Sequence, residues 1–291
     1  MDTQGDVREF LASRRAKITP EQAGIPSFGG TRRVPGLRRA EVALLAGVSP
    51  DYYTRLERGN LTGVSDSVLD AIARALQLDE AERSHLYDLA RAANTTGRTR
   101  QRRPAKQQIR PGVQSLLDAM TDAPAFVRNG RLDILAINPL GQALYAPAFT
   151  AEVRPVNLAR FCFFDPAAED FYPDWNVAAD TTVNLLRTEA GRDPYNKALS
   201  NLIGELATLS DDFRTRWAAH NVRLHHTGVK RFQHPVVGRL DVAFEAMPLP
   251  ADPGLTLTAY SAEAGTPAHD ALRLLSSWAA TRTPSNTAAN Q

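Results

Sequence analysis

The chain has 291 residues, which is enough for two domains that each bury a core. Its composition, with 43% hydrophobic and 23% charged residues, excludes a chain that is disordered over most of its length. No apolar run approaches the roughly 18 residues that a membrane span needs, and the polar amino terminus lacks the apolar core of a signal peptide, so we expect a cytoplasmic protein without membrane contact. The net charge is only +2, but residues 1–104 hold 17 basic against 13 acidic residues, which hints at nucleic acid as a partner.

Residues 6–92 are predicted to form a compact bundle of about five short helices. Val7, Phe10 and Leu11 have the spacing of one helical face near the start of this segment. Ser49 has the side chain that typically accepts a hydrogen bond at the beginning of a helix. The four helical segments that follow the first are expected at residues 37–47, 49–59, 65–77 and 79–93.

A change in composition separates this bundle from the rest of the chain. The stretch after the last predicted helix holds six basic residues, no acidic residue and almost nothing apolar, which predicts a linker. The remainder mixes strands with helices, which predicts an α+β domain with a mixed or antiparallel sheet. The predicted division is a helical domain at 1–93, a basic linker at 94–110, an α+β domain at 111–280 and a disordered tail at 281–291.

Five strands are predicted in the second domain. Residues 131–138 alternate between apolar and polar side chains, and Phe126 with Val127 starts a second strand before them. Asn129 and Gly130 are expected to form the two-residue turn of the hairpin between them. Three further strands are expected at residues 230–238, 240–249 and 255–263, followed by a closing helix at 268–281.

The most specific pattern in the chain is LRRAEVALLAGVSPDYYTRLERG at residues 37–59. Two short amphipathic helices flank Gly47, which ends the first of them in a tight turn. This is the helix-turn-helix arrangement. The side chains expected to face the core are Val42, Leu45, Ala46, Tyr53 and Leu56.

This segment resembles an Xre-type helix-turn-helix, and it is similar to the signature of the MmyB-like transcription regulators. Four motifs of the second half are also similar to the ligand-binding domain of that family, namely NPLGQALY, FFDPAAEDFYPDW, TGVKRFQHPVVG and LTAYSAEAGTP. The resemblance covers about residues 6–92 and 110–277. It implies a lambda-repressor-like DNA-binding domain followed by a PAS-like domain that binds a fatty-acid-like ligand and dimerises.

The face of the second helix opposite to its core residues is expected to meet DNA. The first turns of that helix reach base edges in a helix-turn-helix, so Arg55 is expected to bind guanine with both arms of its guanidinium. Asp51 is expected either to accept from a cytosine amine or to orient Arg55. Arg38 and Arg39 begin the preceding helix and are expected to bind phosphates. The full set expected at DNA is Arg38, Arg39, Ser49, Pro50, Asp51, Tyr52, Arg55 and Arg58, with Arg32 and Arg33 as weaker phosphate candidates.

The aromatic residues of the second domain provide enough bulk for either an ordinary core or an apolar pocket. The resemblance favours a pocket, since it implies a fatty-acid-like ligand that needs one polar anchor. Candidate anchors for a carboxylate are Arg231, His220, Arg160 and Tyr260. The candidate ligand-binding residues are Phe126, Ile134, Phe161, Phe164, Trp175, His220, Arg231, Phe232 and Phe244.

Patterns typical of an enzyme or of a metal site do not occur. Cys162 is the single cysteine, which excludes an internal disulfide and a cysteine-based zinc site, and its apolar neighbours predict a buried, inert thiol. His225 and His226 are adjacent, so they cannot both face one metal from a regular strand or helix. The sequence has no Walker loop and no nucleophile elbow. We therefore predict no catalytic residues, no metal and no cofactor.

These features together predict a bacterial transcription regulator that binds double-stranded DNA in the cytoplasm, at the nucleoid. It is expected to act as a homodimer on a pseudo-palindromic operator with half-sites about 34–36 Å apart. Its second domain is expected to sense a small apolar molecule. The alternative is a ligand carrier or protein-interaction module whose helical head binds a protein rather than DNA.

Overall fold

The structure is a computed structural model. It describes residues 3–25, 34, 36–94, 109–150, 152–219 and 226–282. Most of the predicted linker and of the predicted tail falls outside these residues. Arg32, Arg33, His220 and His225 fall outside them as well.

The described residues divide into two compact units. The first unit takes those within 1–103 and 183–224, and the second takes those within 104–182 and 225–291. The first unit contains the helix-turn-helix, and the second contains every strand that the structure describes. The boundaries predicted between helical domain, linker and α+β domain stay a prediction.

The helices and strands are numbered here in chain order. The helices are α1 (Thr3–Lys17), α2 (Arg39–Ala46), α3 (Pro50–Glu57), α4 (Asp66–Ala75), α5 (Glu80–Asn94), α6 (Pro111–Ala119), α7 (Pro139–Leu144), α8 (Leu158–Phe164), α9 (Ala167–Phe171), α10 (Trp175–Arg192), α11 (Lys197–Leu209), α12 (Asp211–Ala218) and α13 (Pro267–Arg282). The strands are β1 (Ala125–Asn129), β2 (Ile134–Ile137), β3 (Thr227–His234), β4 (Gly238–Pro248) and β5 (Leu255–Ser261). A short 3-10 helix follows α7 at Ala146–Phe149.

The predicted helical bundle is confirmed as α1 to α5, whose apolar faces meet in one core. Phe10 and Leu11 of α1 are buried in this core together with Tyr53 and Leu56 of α3. The core collects side chains at helical spacing, so each helix is held by burial of one face rather than by its intrinsic propensity. Gly59, two residues after the end of α3, has φ +98°, and a Cβ atom there would lie 2.5 Å from the Gln4 carbonyl oxygen of α1.

Leu45 was expected in the core, and this prediction is wrong. Val42 and Ala46, one helical turn apart, are buried together with Ala43, while Leu45 is 39% exposed. Because successive residues advance by about 100° around a helix, the face that holds Val42 and Ala46 leaves Leu45 on the flank. The small side chain of Ala43 lies against the core instead.

The five strands of the second unit form one antiparallel sheet in the order β2-β1-β5-β4-β3. The predicted combination of a helical unit with an α+β unit is therefore confirmed. Strand residues alternate between two apolar layers. Phe126 of β1 belongs to the layer with α7, α8, α9 and α13, whereas its neighbours Ala125 and Val127 pack in a layer with Leu117 of α6.

The hairpin between β1 and β2 does not have the predicted two-residue turn. Asn129 is the last residue of β1, and β2 begins only at Ile134. The Asn129 side-chain oxygen accepts hydrogen bonds from the N–H groups of Arg131 at 2.9 Å and Asp133 at 3.1 Å. These bonds close a four-residue connection in which Leu132 has φ +66°. The Asn-Gly pair is thus part of a longer loop, which the asparagine side chain stabilises.

Candidate functional site

The turn before α3 fixes the direction in which this helix leaves α2. Gly47 has φ +67°, a left-handed conformation that favours glycine at the end of a helix. Ser49 then begins α3, and its Oγ accepts a hydrogen bond from the Tyr52 N–H at 3.1 Å. Pro50 occupies the first position of α3, where a missing N–H costs nothing. The N-terminal end of α3 is therefore well defined by local contacts.

One face of α3 is sealed in the core of the bundle. Tyr53 and Leu56 have no exposed surface, and Glu57 at the end of the helix is also buried. The Glu57 carboxylate accepts two hydrogen bonds from Arg15 of α1, at 2.8 and 2.9 Å, and one from Arg39 of α2 at 2.9 Å. The ion pairs of Glu57 thus join three helices.

The charge state of Glu57 follows from two opposing effects. Burial raises the pKa of its carboxyl group, but the hydrogen bonds and positive charges of Arg15 and Arg39 outweigh burial, so the pKa lies below the ordinary value. The same burial, next to the Glu57 charge, raises the pKa of the Tyr53 hydroxyl well above its usual range. Glu57 is therefore ionised at neutral pH, and α3 is held in place by a charged cluster as well as by apolar packing.

The opposite face of α3 is open to solvent. Arg55 is exposed, and its guanidinium carbon lies 4.8 Å from the centre of the Tyr52 ring. This distance is typical of a cation–π contact, which holds the guanidinium without using its hydrogen-bond donors. Asp51 is exposed one turn earlier on the same helix. The eight residues expected at DNA are all exposed or half-buried in the structure: Arg38, Arg39, Ser49, Pro50, Asp51, Tyr52, Arg55 and Arg58.

The remaining arginines of this set lie at helix ends. Arg38 is the N-cap of α2, and its N–H donates to the Glu41 carboxylate at 2.7 Å while its side chain is exposed. Arg39 begins α2, and its side chain is 55% exposed although it pairs with Glu57. Arg58 ends α3 and is exposed. Arg39 and Arg58 therefore place positive charge at the C-terminal end of α3, and Arg38 directly precedes Arg39.

In the second unit, the structure brings several of the candidate ligand-binding residues together. Phe126 and Phe232 both pack against the buried Tyr145, with ring centres 5.4 and 5.6 Å from it. Phe161 joins the group through Phe171, with ring centres 5.9 Å apart. Ile134 belongs to the same core, and Phe244 and Trp175 are partly buried against it. We call this group the aromatic cluster, with Tyr145, Phe171, Tyr172, Phe232 and Tyr260 at its centre.

Other candidates lie away from the aromatic cluster or already have a different partner. Phe164 is 36% exposed at the end of α8. Arg231 is exposed and pairs with Asp174 at 2.7 Å, on the face of β3 opposite to Phe232. The Trp175 indole N–H donates to the Cys162 carbonyl at 2.9 Å. Cys162 itself is buried, as its sequence context predicts.

A groove of about 1090 Å³ opens beside the aromatic cluster. Phe171 lines it together with Phe149 and Trp278, and His234 lies in its wall. The His234 Nε2–H donates to the Ala143 carbonyl at 3.0 Å, and Nδ1 accepts from the backbone N–H groups of residues 236 and 237. Burial lowers the pKa of this imidazole, and the two acceptor contacts agree with a neutral ring. The groove is thus mostly apolar, with a neutral histidine in its wall.

Sequence reasoning missed the polar atoms inside the aromatic cluster. The Tyr145 and Tyr260 hydroxyls are 2.5 Å apart, and the Lys230 Nζ lies 3.3 Å from the Tyr145 hydroxyl. Tyr260 was a candidate anchor, but Tyr145 and Lys230 were not. Alternation along β3 was the available signal, since Lys230 has the same facing as Phe232 and His234.

We also searched the described residues for metal sites and for membrane-spanning helices. No group of histidine, cysteine, aspartate and glutamate residues in the described part of the chain could hold a metal ion. Among the helices that the structure describes, none is long and apolar enough to cross a membrane.

Two family models match this chain. The model described as "MmyB-like transcription regulator ligand binding domain" matches residues 109–275, which is more than half of the chain. The model described as "Helix-turn-helix domain" matches residues 9–86, which include α2, α3 and the turn between them. A search of curated proteins finds no match.

Proposed function

The chain belongs to the MmyB-like transcription regulators, and from this premise we propose that it is a sequence-specific DNA-binding protein that reads its operator with α3. The resemblance predicted from the sequence is confirmed. A helix-turn-helix domain joined to this ligand-binding domain makes the chain a ligand-responsive transcription regulator. The operator, the ligand and the assembly are the parts that we propose here.

The observation that carries the proposal is the division of α3 into two faces. Its inner face is fixed by Tyr53, Leu56 and the Glu57 ion pairs, while Arg55 extends from the outer face with its guanidinium over the Tyr52 ring. A guanidinium held in this way loses little conformational entropy when it binds the O6 and N7 atoms of guanine. Arg55 therefore supplies base discrimination.

Phosphate contacts come from the arginines at the helix ends. Arg38 lies at the N-terminus of α2, where backbone N–H groups also favour an anion. Arg39 can contribute only part of its guanidinium, since Glu57 already accepts from it. Arg58 directly follows Glu57 at the C-terminal end of α3. These residues set the position of the protein on the duplex rather than its sequence preference.

The protein binds as a homodimer to a pseudo-palindromic site. One α3 helix reads only a few base pairs, so two copies are needed for a specific operator, and their half-sites lie about 34–36 Å apart. Such a regulator works where the chromosome lies, which places it in the bacterial cytoplasm and at the nucleoid. It has no catalytic role, and the second unit responds to a small, fatty-acid-like molecule.

Selection of bound duplexes from a random pool tests the DNA part of this proposal. The parent protein is expected to select a two-fold repeated motif. Arg55→Ala is expected to relax the preference at one position in each half-site, by about 1–3 kcal/mol of discrimination. Arg38→Ala is expected to weaken all duplexes alike and to reduce the dependence of affinity on salt. Arg273→Ala, which removes an exposed arginine from α13, is the matched control and leaves both properties unchanged.

Two results would contradict the DNA proposal. An unchanged sequence preference in Arg55→Ala removes this residue from base recognition. Failure of the parent protein to bind any duplex at two salt concentrations favours the alternative, a ligand carrier or protein-interaction module.

Native mass spectrometry of the purified full-length protein tests the ligand part. A fatty-acid-like ligand is expected to remain bound because the mostly apolar lining of the groove removes part of its chain from water. Spectra that contain only empty protein, before and after incubation with a long-chain carboxylic acid, would contradict it.

A further inference from the structure

An amino group lies inside the aromatic cluster of the second unit. Lys230 is on the inward face of β3, two residues before the buried Phe232. Its Nζ lies 5.1 Å from the ring centre of Tyr172, 5.6 Å from that of Phe232 and 5.8 Å from that of Tyr145. Three rings from β3 and from the residues that follow α7 and α9 thus surround one cation.

No carboxylate in the described part of the chain pairs with this amino group. Its one hydrogen-bond partner there is the Tyr145 hydroxyl at 3.3 Å; besides Tyr145 and Tyr172, its titratable or charged neighbours include Arg128 of β1 and the Cys162 thiol of α8. An ammonium group has three N–H donors, and Tyr145 accepts one of them. Two donors are therefore available to a ligand.

The energetics of this position are unfavourable for a resident cation. The pKa of Lys230 is lowered to about 8, mainly because burial among the rings replaces water around the amino group. The positive charge of the nearby Arg128 acts in the same direction. Aromatic faces offset part of this cost. A buried charge normally has a counter-ion, and here the described residues supply one hydroxyl group, that of Tyr145, instead.

The polar atoms around Lys230 continue along the sheet. The Tyr145 hydroxyl is 2.5 Å from the Tyr260 hydroxyl. Thr258 is buried on the same face of the sheet, two residues before Tyr260, and its hydroxyl has no hydrogen-bond partner among the described residues; it pairs with Ala246 of β4 and lies two strands away from Lys230. A tyrosine hydroxyl beside a cation that has no carboxylate partner is well suited to bind a negatively charged oxygen group.

The site has a side that solvent reaches and an apolar wall. Lys230 as a whole residue is half-buried, while the ring of Phe244 lies against the preceding inward position, Gly228. On the other side, Phe171 is in contact with Phe232 and Tyr172 and also lines the groove of about 1090 Å³. A polar end and an apolar end of one molecule would thus find matching surfaces next to each other.

We propose that Lys230 anchors the carboxylate of an amphipathic monocarboxylic acid, with the Tyr145 hydroxyl as the neighbouring hydrogen-bond group. This inference rests on the proposed response to a fatty-acid-like ligand and names the residue that recognises its head group. It replaces Arg231, the adjacent residue, whose guanidinium already has Asp174 as its partner. A single cation matches the single charge of a carboxylate better than the double charge of a phosphate monoester.

The test compares dodecanoate with dodecanol, which has the same chain length and no charge, on the full-length protein by titration calorimetry. The parent protein is expected to bind dodecanoate at least tenfold more tightly than dodecanol. Lys230→Met is expected to remove this preference while dodecanol binding stays within twofold. Lys230→Arg is expected to keep most of the preference because it keeps the charge. Lys197→Met, which removes an exposed lysine from α11, is the matched control and changes neither affinity.

A second measurement does not depend on how the variants fold. Acetylation of individual lysines in the parent protein is followed by mass spectrometry at pH 8, where a substantial share of Lys230 is neutral and reactive. Saturating dodecanoate is expected to slow acetylation of Lys230 at least fivefold and to leave Lys197 unchanged.

The outcomes separate the two proposals. If dodecanoate and dodecanol bind the parent protein equally, or if dodecanoate leaves the acetylation of Lys230 unchanged, the anchor is overturned and the apolar ligand stands. If the parent protein binds neither compound, the proposed ligand class fails and the anchor fails with it.

Discussion

Replacing Glu57 by glutamine tests the claim that a buried charge holds α3 in place. The side chain of Glu57 is 2% exposed and accepts three charge-assisted hydrogen bonds, two of them from Arg15, which is 16% exposed. Removing one partner of a buried ion pair costs about 3–5 kcal/mol, because the other charge is left without compensation. Glutamine keeps one acceptor oxygen and Arg39 can turn to water, so we expect Glu57→Gln to lose about 2–4 kcal/mol.

Hydrogen exchange on the full-length protein measures this loss where it occurs. A chain with two compact units need not unfold in one transition, so the opening free energies of peptides from α1 and α3 are more informative than a single melting temperature. Arg39→Gln is the matched control. Because Arg39 is half exposed, we expect this variant to lose only about 0–1 kcal/mol.

The effect of Glu57→Gln also depends on pH. The pKa of Glu57 in the folded protein is below the ordinary value of 4.5, so the ionised carboxylate stabilises the fold above that value. This stabilisation is lost as the pH falls through the folded pKa, and the variant has no equivalent loss. The difference between parent and variant is therefore expected to shrink below pH 4.5. An opening free energy of α3 that changes by less than about 0.5 kcal/mol at pH 7, the range of an ordinary surface substitution, would refute the reasoning.

Three further predictions concern the stability of the fold at Gly59, Tyr145 and Lys230. In the same exchange experiment, Gly59→Ala is expected to lower the opening free energy by at least about 2 kcal/mol, because the added Cβ meets the backbone of α1. Gly47→Ala adds a Cβ in open space and is expected to cost only about 1 kcal/mol, so equal costs would contradict this reasoning. Tyr145→Phe leaves the buried Tyr260 hydroxyl without its partner and is expected to cost about 1–3 kcal/mol in urea unfolding, and an unchanged midpoint would count against that hydrogen bond. The pKa of Lys230 is about 8 in the folded protein against an ordinary 10.5, so the unfolded state holds this proton more tightly. The parent protein is therefore expected to gain stability relative to Lys230→Met as the pH rises between these two values, and parallel pH profiles of the two proteins would contradict the lowered pKa.

The helical bundle and α3 were predictable from sequence because their signals are local. Ser49, Pro50 and Gly47 mark the ends of the helices, and helical spacing places Tyr53 in the core and Arg55 outside. Neither inference needs knowledge of distant residues. Leu45 was assigned wrongly because it lies at the border of the apolar face, where the packing of neighbouring helices decides burial.

The second unit shows why local signals are not enough in a sheet. The loop between β1 and β2 depends on hydrogen bonds that the Asn129 side-chain oxygen accepts from residues up to four positions later, and the Asn-Gly pair alone does not reveal them. The choice of anchor residue depends on which face of β3 a side chain occupies, since adjacent residues of a strand point to opposite sides of the sheet. Arg231 was chosen for its charge, while Lys230, one position earlier, is the residue that faces the aromatic cluster.

The close approach of α1 to the end of α3 has a consequence for signal transmission. Gly59 lets the two backbones touch, and the Glu57 ion pairs tie α3 to both α1 and α2. These contacts hold α3 against α1 and α2. We therefore expect that, in the dimer proposed above, a ligand changes the distance or rotation between the two helical domains rather than the position of α3 within one of them, so that its effect on DNA affinity depends on the spacing of the half-sites.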